Sequence, residues 1–177
     1  MKPENTLCLV VDIQERLLPA LHEAEKMVER SRIVLQGLQA LEVAVVTTEQ
    51  YPKGLGKTTA AVQLLLGDTP VFEKTRFSAV IPEVEAVLAE KGVANVILLG
   101  AEAHVCMLQT VLDLRAKGLS VYVPFDCTTS RDPANKANAL AQMQQAGAVV
   151  SNSESVLFQL LGDAKHPAFK TVSKLIQ

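Results

Sequence analysis

Five short, unbroken apolar runs constrain this chain more than any other feature: TLCLVV (6–11), VAVVTT (43–48), NVILLG (95–100), LSVYVPF (119–125) and the shorter AVVS (148–151). A strand with one wet face alternates apolar and polar residues. A continuous run of Val, Ile and Leu is buried on both faces, as in a parallel sheet with helices on each side. The stretches between the runs have helical periodicity. In 23–41, Met27, Val34, Leu35, Leu38 and Leu41 recur at three- and four-residue spacing and make one apolar stripe. Segment 82–91 has Pro82 in its first turn and Gly92 as its stop. Segment 104–117 has an apolar face of Val105, Leu108, Val111 and Leu112, and 133–146 is capped by Asp132 and stopped by Gly147. Two further helices are predicted near 154–161 and 167–176. Alternating strands and helices imply right-handed crossovers and a three-layer α/β/α fold with a mainly parallel central sheet. The 177 residues make one domain, 1–177, with no linker or repeat.

Composition narrows the partners. The chain has 49% hydrophobic residues, so it is expected to bury further surface as a homo-oligomer. A net charge of −2 without a basic cluster argues against nucleic acid, and no apolar run has membrane-spanning length. The start, MKPENTLCLVVD, lacks the regions of a signal peptide, and three cysteines is an odd number in a chain that needs no staples. Both point to a reducing, cytoplasmic setting.

Ligands of such sheets bind beyond the carboxyl ends of the strands. The residues there are Asp12 to Gln14, Glu49 to Tyr51, Ala101 to Cys106 and Asp126 to Ser130. Cys106 follows NVILLG closely and falls in the first turn of helix 104–117, where free N–H groups and the helix dipole favour a thiolate. It is a nucleophile, or a small apolar residue packed under the sheet. Asp12 ends a buried run, so desolvation should raise its pKa and suit it to proton transfer; the other reading is a turn or cap. Lys74 lies in FEKTRFSA (72–79), an extended piece left unassigned. It either pairs with Asp12 and Cys106 or is a solvated lysine, with Arg76 as a rival cation. Cys8 reads as core, and Cys127 as a bystander at the ligand edge. The three histidines are scattered, no Cys-x-x-Cys exists, and GLGKTT (54–59) lacks the spacing of a phosphate loop.

Taken together, VVDIQERL with Asp12, EKTRFSA with Lys74 and GAEAHVCM with Cys106 resemble the isochorismatase-like cysteine hydrolases, a superfamily that includes nicotinamidases and N-carbamoylsarcosine amidohydrolase. The likeness spans nearly the whole chain and is nearest to the short isochorismatase domain-containing branch. It implies an Asp12–Lys74–Cys106 triad. It also implies a non-proline cis peptide at Ala101–Glu102 and an oxyanion hole made by the N–H groups of Glu102 and Cys106. The chain departs from many family amidases at Glu102 and His104, so specificity does not carry over. TTEQYPKGLG (47–56) lacks the histidines with which nicotinamidases hold a metal, so no metal or other cofactor is expected. The expected reaction is hydrolysis of a C–N bond in a small amide or carbamoyl compound through a thioester. Gln14, Tyr51, Phe77 and Glu102 are expected to line the pocket. The rival readings are a binding module without turnover and a thiol-redox protein using Cys106 with Cys127.

Overall fold

The computed structural model describes all residues, 1–177. Five of its strands are the five apolar runs: β1 (Thr6–Val11), β2 (Ala44–Gln50), β4 (Asn95–Ala101), β5 (Ser120–Pro124) and β7 (Val149–Ser151). Two more join them, β3 (Val71–Lys74) and the two-residue β6 (Thr128–Thr129). The order is β3-β2-β1-β4-β5-β7, with β6 beside the end of β4. All strand pairs are parallel.

Alternate residues of β1 enter opposite cores. Leu7, Leu9 and Val11 face α4 (Pro82–Glu90), α5 (Leu108–Ala116) and α6 (Pro133–Gln145). Cys8 and Val10 face α1 (Ala24–Ala40), α3 (Ala60–Leu66), α7 (Ser153–Leu161) and α8 (Phe169–Leu175). Each face holds 22 buried apolar residues, so the sheet is covered equally on both sides, as an all-parallel sheet requires. The short helix α2 (Pro52–Leu55) lies in the β2–β3 connection.

Two strand ends shape the region beyond the sheet. Asp12 turns into the left-handed region at φ 55 directly after β1, a conformation that Asp tolerates better than most residues. Gly100, beside Val11 in the register, has φ 130, and a Cβ there would lie 1.9 Å from the Val11 carbonyl oxygen. Only glycine allows β4 this close to β1.

The segment expected to start helix 104–117 has a different opening. Ala103–Met107 forms a π-turn, with the Met107 N–H reaching the Glu102 carbonyl at 3.2 Å, and α-helical geometry begins only at Leu108. FEK, part of the segment left unassigned from sequence, is edge strand β3.

Candidate active site

Lys74 ends β3 and reaches across the sheet edge to Asp12, with Nζ 2.7 Å from Oδ2 and both side chains fully buried. Nζ also donates to Gln50 Oε1 at 2.7 Å, the Phe77 carbonyl at 2.9 Å and the Arg76 carbonyl at 3.2 Å. The other carboxylate oxygen, Asp12 Oδ1, accepts from Thr48 Oγ1 at 3.0 Å. A buried ion pair is stable only when its remaining hydrogen-bonding capacity is met, and here it is met almost wholly.

Cys106 completes the cluster. The Asp12 carboxylate and the Lys74 ammonium both act on its thiol, the first raising and the second lowering its pKa. The sulfur sits in the π-turn, whose position is held by Thr110: the Thr110 hydroxyl donates to the Cys106 carbonyl at 2.6 Å and accepts from the Ala79 N–H at 2.8 Å. Single π-turns inside helices often occur at functional sites. The Ala101–Glu102 peptide is cis, and the Glu102 N–H makes no backbone hydrogen bond.

The electrostatics differ from the sequence reading in one respect. Burial, and then the nearby Asp12 carboxylate, push the Cys106 thiol up to about 12, although Lys74 pulls it down. The resting sulfur is therefore a thiol. The helix terminus and Lys74 do not supply a standing thiolate, because desolvation outweighs them. Burial also raises the Asp12 carboxyl above its ordinary value, against the pull of Lys74 and of hydrogen bonds from Cys106 and Thr48. A carboxylate tuned upward beside a thiol is arranged to take its proton when charge develops elsewhere.

The expected pocket residues divide into two pairs. Tyr51 and Phe77 are about half exposed and flank Lys74: the Tyr51 N–H donates to the Lys74 carbonyl at 2.9 Å, and the Phe77 carbonyl accepts from Nζ. Gln14 has its amide engaged within the fold. Nε2 donates to the carbonyls of Gln50 (3.0 Å) and Gly56 (2.7 Å), and Oε1 accepts from the Gln50 N–H (2.8 Å), so it staples the ends of β1 and β2 to the next turn. The Glu102 side chain is not free to bind a ligand either. Its carboxylate accepts from the Arg131 N–H (3.0 Å), Nε (3.1 Å) and Nη2 (2.9 Å). Burial pushes that carboxyl up, but Arg131 outweighs it and holds it below the usual range. His104 Nδ1 meets Ser130 Oγ at 3.0 Å.

Thr48 and Gln50 were given no role from the sequence, although Gln50 lay in the stretch Glu49 to Tyr51 at the ligand edge, and Arg131 was missed. For the first two a signal existed: period-two alternation puts Thr48 and Gln50 on one face of β2 and Glu49 on the other. No local signal pairs Arg131 with Glu102. The other two cysteines stand apart. Cys8 and Cys127 are fully buried in the core on the opposite sheet face from Cys106, and burial raises both thiols strongly. A Cys106–Cys127 couple is thus blocked by the sheet. Glu49, within the histidine-free stretch TTEQYPKGLG, accepts from the Thr58 N–H and hydroxyl and pairs with Lys57.

A seven-stranded parallel α/β/α sheet with a buried carboxylate, ammonium and thiol meeting at its carboxyl edge defines a hydrolase-type fold. The isochorismatase domain model matches residues 6–155, and the chain belongs to the isochorismatase-like family. Isochorismatase domain-containing protein 1 of Salmo salar is 44% identical over 176 residues, which cover 99% of this chain and 62% of that protein. The chain thus spans less than two thirds of that relative. The MAR1 ribonuclease structure from Caenorhabditis elegans superposes with TM-score 0.96 at 41% identity, covering 99% of this chain and 91% of that one. The YcaC gene product of Escherichia coli, an octameric hydrolase of unknown specificity, has TM-score 0.92 at 21% identity, covering 99% and 88%. No helix is long and apolar enough to cross a membrane.

Proposed function

We propose that this chain is a cysteine-dependent hydrolase cleaving a C–N bond of a small amide or carbamoyl compound. The carrying observation is the fully buried 2.7 Å contact of Lys74 with Asp12 at the Cys106 thiol. As Sγ attacks the carbonyl carbon, the thiol proton passes to Asp12, and the N–H groups of Glu102 and Cys106 receive the developing oxyanion. The C–N bond then breaks, Asp12 returns the proton to the departing nitrogen, and a thioester remains. Water, deprotonated by Asp12, cleaves the thioester and regenerates the thiol. Lys74 keeps Asp12 oriented and its charge compensated throughout. Tyr51 and Phe77 border the entry.

Screening a panel of small amides and carbamoyl compounds, with Cys106→Ala as the blank, tests this. Turnover in the unaltered chain alone is expected; turnover surviving Cys106→Ala overturns the mechanism. Activity is expected to persist after prolonged EDTA treatment, because thiol and backbone donors suffice for the chemistry; loss on chelation with recovery on adding zinc would refute the metal-free reading. RNA belongs in the same panel because a close structural relative is called a ribonuclease. The net charge of −2 and a nucleophile that is 6% exposed favour a small substrate over a phosphate backbone. Three free cysteines support a reducing, cytoplasmic setting. Exposed Phe77 and Leu112, sequence neighbours of the Arg76–Asp113 ion pair, support self-association; the E. coli protein of the same fold is octameric.

A further inference from the structure

Arg131 is an exposed residue spending its hydrogen bonds on one buried group. Its side chain is 62% exposed, that of Glu102 is 8% exposed, and three of its N–H groups converge on the two Glu102 oxygens. The backbone on either side of Glu102 has other supports. Gly100 and Ala101 pair with Thr128 and Thr129, Thr128 Oγ1 donates to the Gly100 carbonyl at 2.7 Å, and His104 meets Ser130. The supporting loop is itself tied down, since the His22 N–H donates to the Ser130 carbonyl at 3.1 Å and Thr129 Oγ1 to the His22 carbonyl at 2.6 Å. The Glu102 side chain is held only by Arg131. Glu102 carries the N–H that makes no backbone hydrogen bond, four positions before the nucleophile.

We infer that Arg131 is a positioning residue for acyl transfer: its fork on the Glu102 carboxylate fixes the Glu102 N–H where the oxyanion forms. This rests on the hydrolase reading of Cys106. Without the fork, a nearly buried carboxylate keeps only the Arg131 backbone N–H and loses its countercharge, so it is freed to protonate or swing toward water, and the attached backbone moves with it. Donors in an oxyanion hole act through placement, so a displacement on the order of 1 Å costs rate while leaving the fold intact.

Two reagents separate this role from ordinary structural support. p-Nitrophenyl acetate acylates a thiol: the Sγ–carbon bond forms, the ester C–O bond breaks, p-nitrophenolate leaves, and the thiol proton goes to Asp12. The carbonyl oxygen becomes negative on the way. Iodoacetamide alkylates the same sulfur with loss of iodide and forms no oxyanion. In Arg131→Ala, acylation of Cys106 is expected to fall by about tenfold to a hundredfold, with alkylation changed by less than about twofold. Glu102→Ala should show the same split, and the double variant should be no worse than the poorer single one, because both ends belong to one device. Arg131→Lys keeps the charge but not the fork and should fall between, which also covers the case of an unstable alanine variant. Equal loss in both reactions means that Arg131 is only structural support and overturns the proposal. So does unchanged acylation. If iodoacetamide labels Cys106 of the unaltered protein but the ester does not acylate it, the hydrolase reading itself fails, and the role of Arg131 with it.

Discussion

Neighbouring residues of β2 serve two very different ion pairs. Thr48 and Gln50 point to the sheet face where Lys74 meets Asp12, with both side chains at 0% exposure. Glu49, between them, points to the other face and meets Lys57 at 3.3 Å, with exposures of 2% and 68% for the carboxylate and the ammonium. The Lys57 ammonium also reaches Glu73 at 3.4 Å and is free to move between the two acids. Lys74 is held by four acceptors and has no alternative position. A pair whose cation stands in solvent is screened and contributes little, whereas a pair buried at both ends is costly to assemble and more costly to break. Only the second kind can hold a charge fixed against a thiol.

Substitutions that treat the two pairs alike should therefore behave unlike. The largest effect is expected from Lys74→Met, which strands Asp12 in the interior: stability should drop by about 3–5 kcal/mol in urea unfolding, and turnover should disappear. Asp12→Asn comes next, and its signature is a split. Hydrolysis should fall by about a hundredfold to ten-thousandfold with loss of the proton acceptor. Alkylation by iodoacetamide at fixed pH should become faster, because the Asp12 charge is one of the causes raising the Cys106 thiol. Slower alkylation in Asp12→Asn would contradict that electrostatic account.

Thr48→Val removes one hydrogen bond to Asp12 Oδ1 and should cost about 1–3 kcal/mol of stability, with a partial loss of rate. In the unaltered chain, labelling of Cys106 should keep rising with pH beyond 9, since the thiol is pushed up to about 12 and the thiolate fraction grows until then. A plateau near neutral pH would instead mean a standing thiolate. Lys57→Ala is expected to do least, because the Thr58 N–H and hydroxyl still hold the buried Glu49 carboxylate: the thermal midpoint should fall far less than in Lys74→Met, and turnover should be unchanged. A loss as large as that of Lys74→Met would mean that Lys57 is as indispensable to Glu49 as Lys74 is to Asp12.

The sequence made some of these residues legible for a physical reason. Asp12 and Cys106 follow unbroken apolar runs, so they had to stand at the carboxyl edge of the sheet. Lys74 was found through its motif, while its strand was not: β3 has only four residues, and Val71 and Glu73 are exposed, so the run looks like a loop. Helix α3 escaped because AAVQLLL buries only Val62 and Leu66, too few turns to establish a period. Gln14 was read as a ligand contact because its position is right, but position does not reveal that three backbone groups already claim its amide. The raised thiol of Cys106 was equally hidden. A helix terminus is visible in sequence, whereas the desolvation opposing it comes from packing by distant segments.

The strand order has a consequence for how the molecule is made. β1 lies between β2 and β4, and Thr6 pairs beside Asn95. On a ribosome, the earliest of these three strands to emerge must wait for a partner that leaves the exit tunnel many seconds later, at about 5–20 residues per second. Until then TLCLVV has an open edge and an uncovered face, the features that invite pairing with other chains. Asp12 and Cys106 lie on opposite sides of that late junction, so the cluster at the sheet edge cannot form on a partial chain. Appearance of Cys106 reactivity toward the ester during synthesis would therefore report closure of the β1–β4 seam.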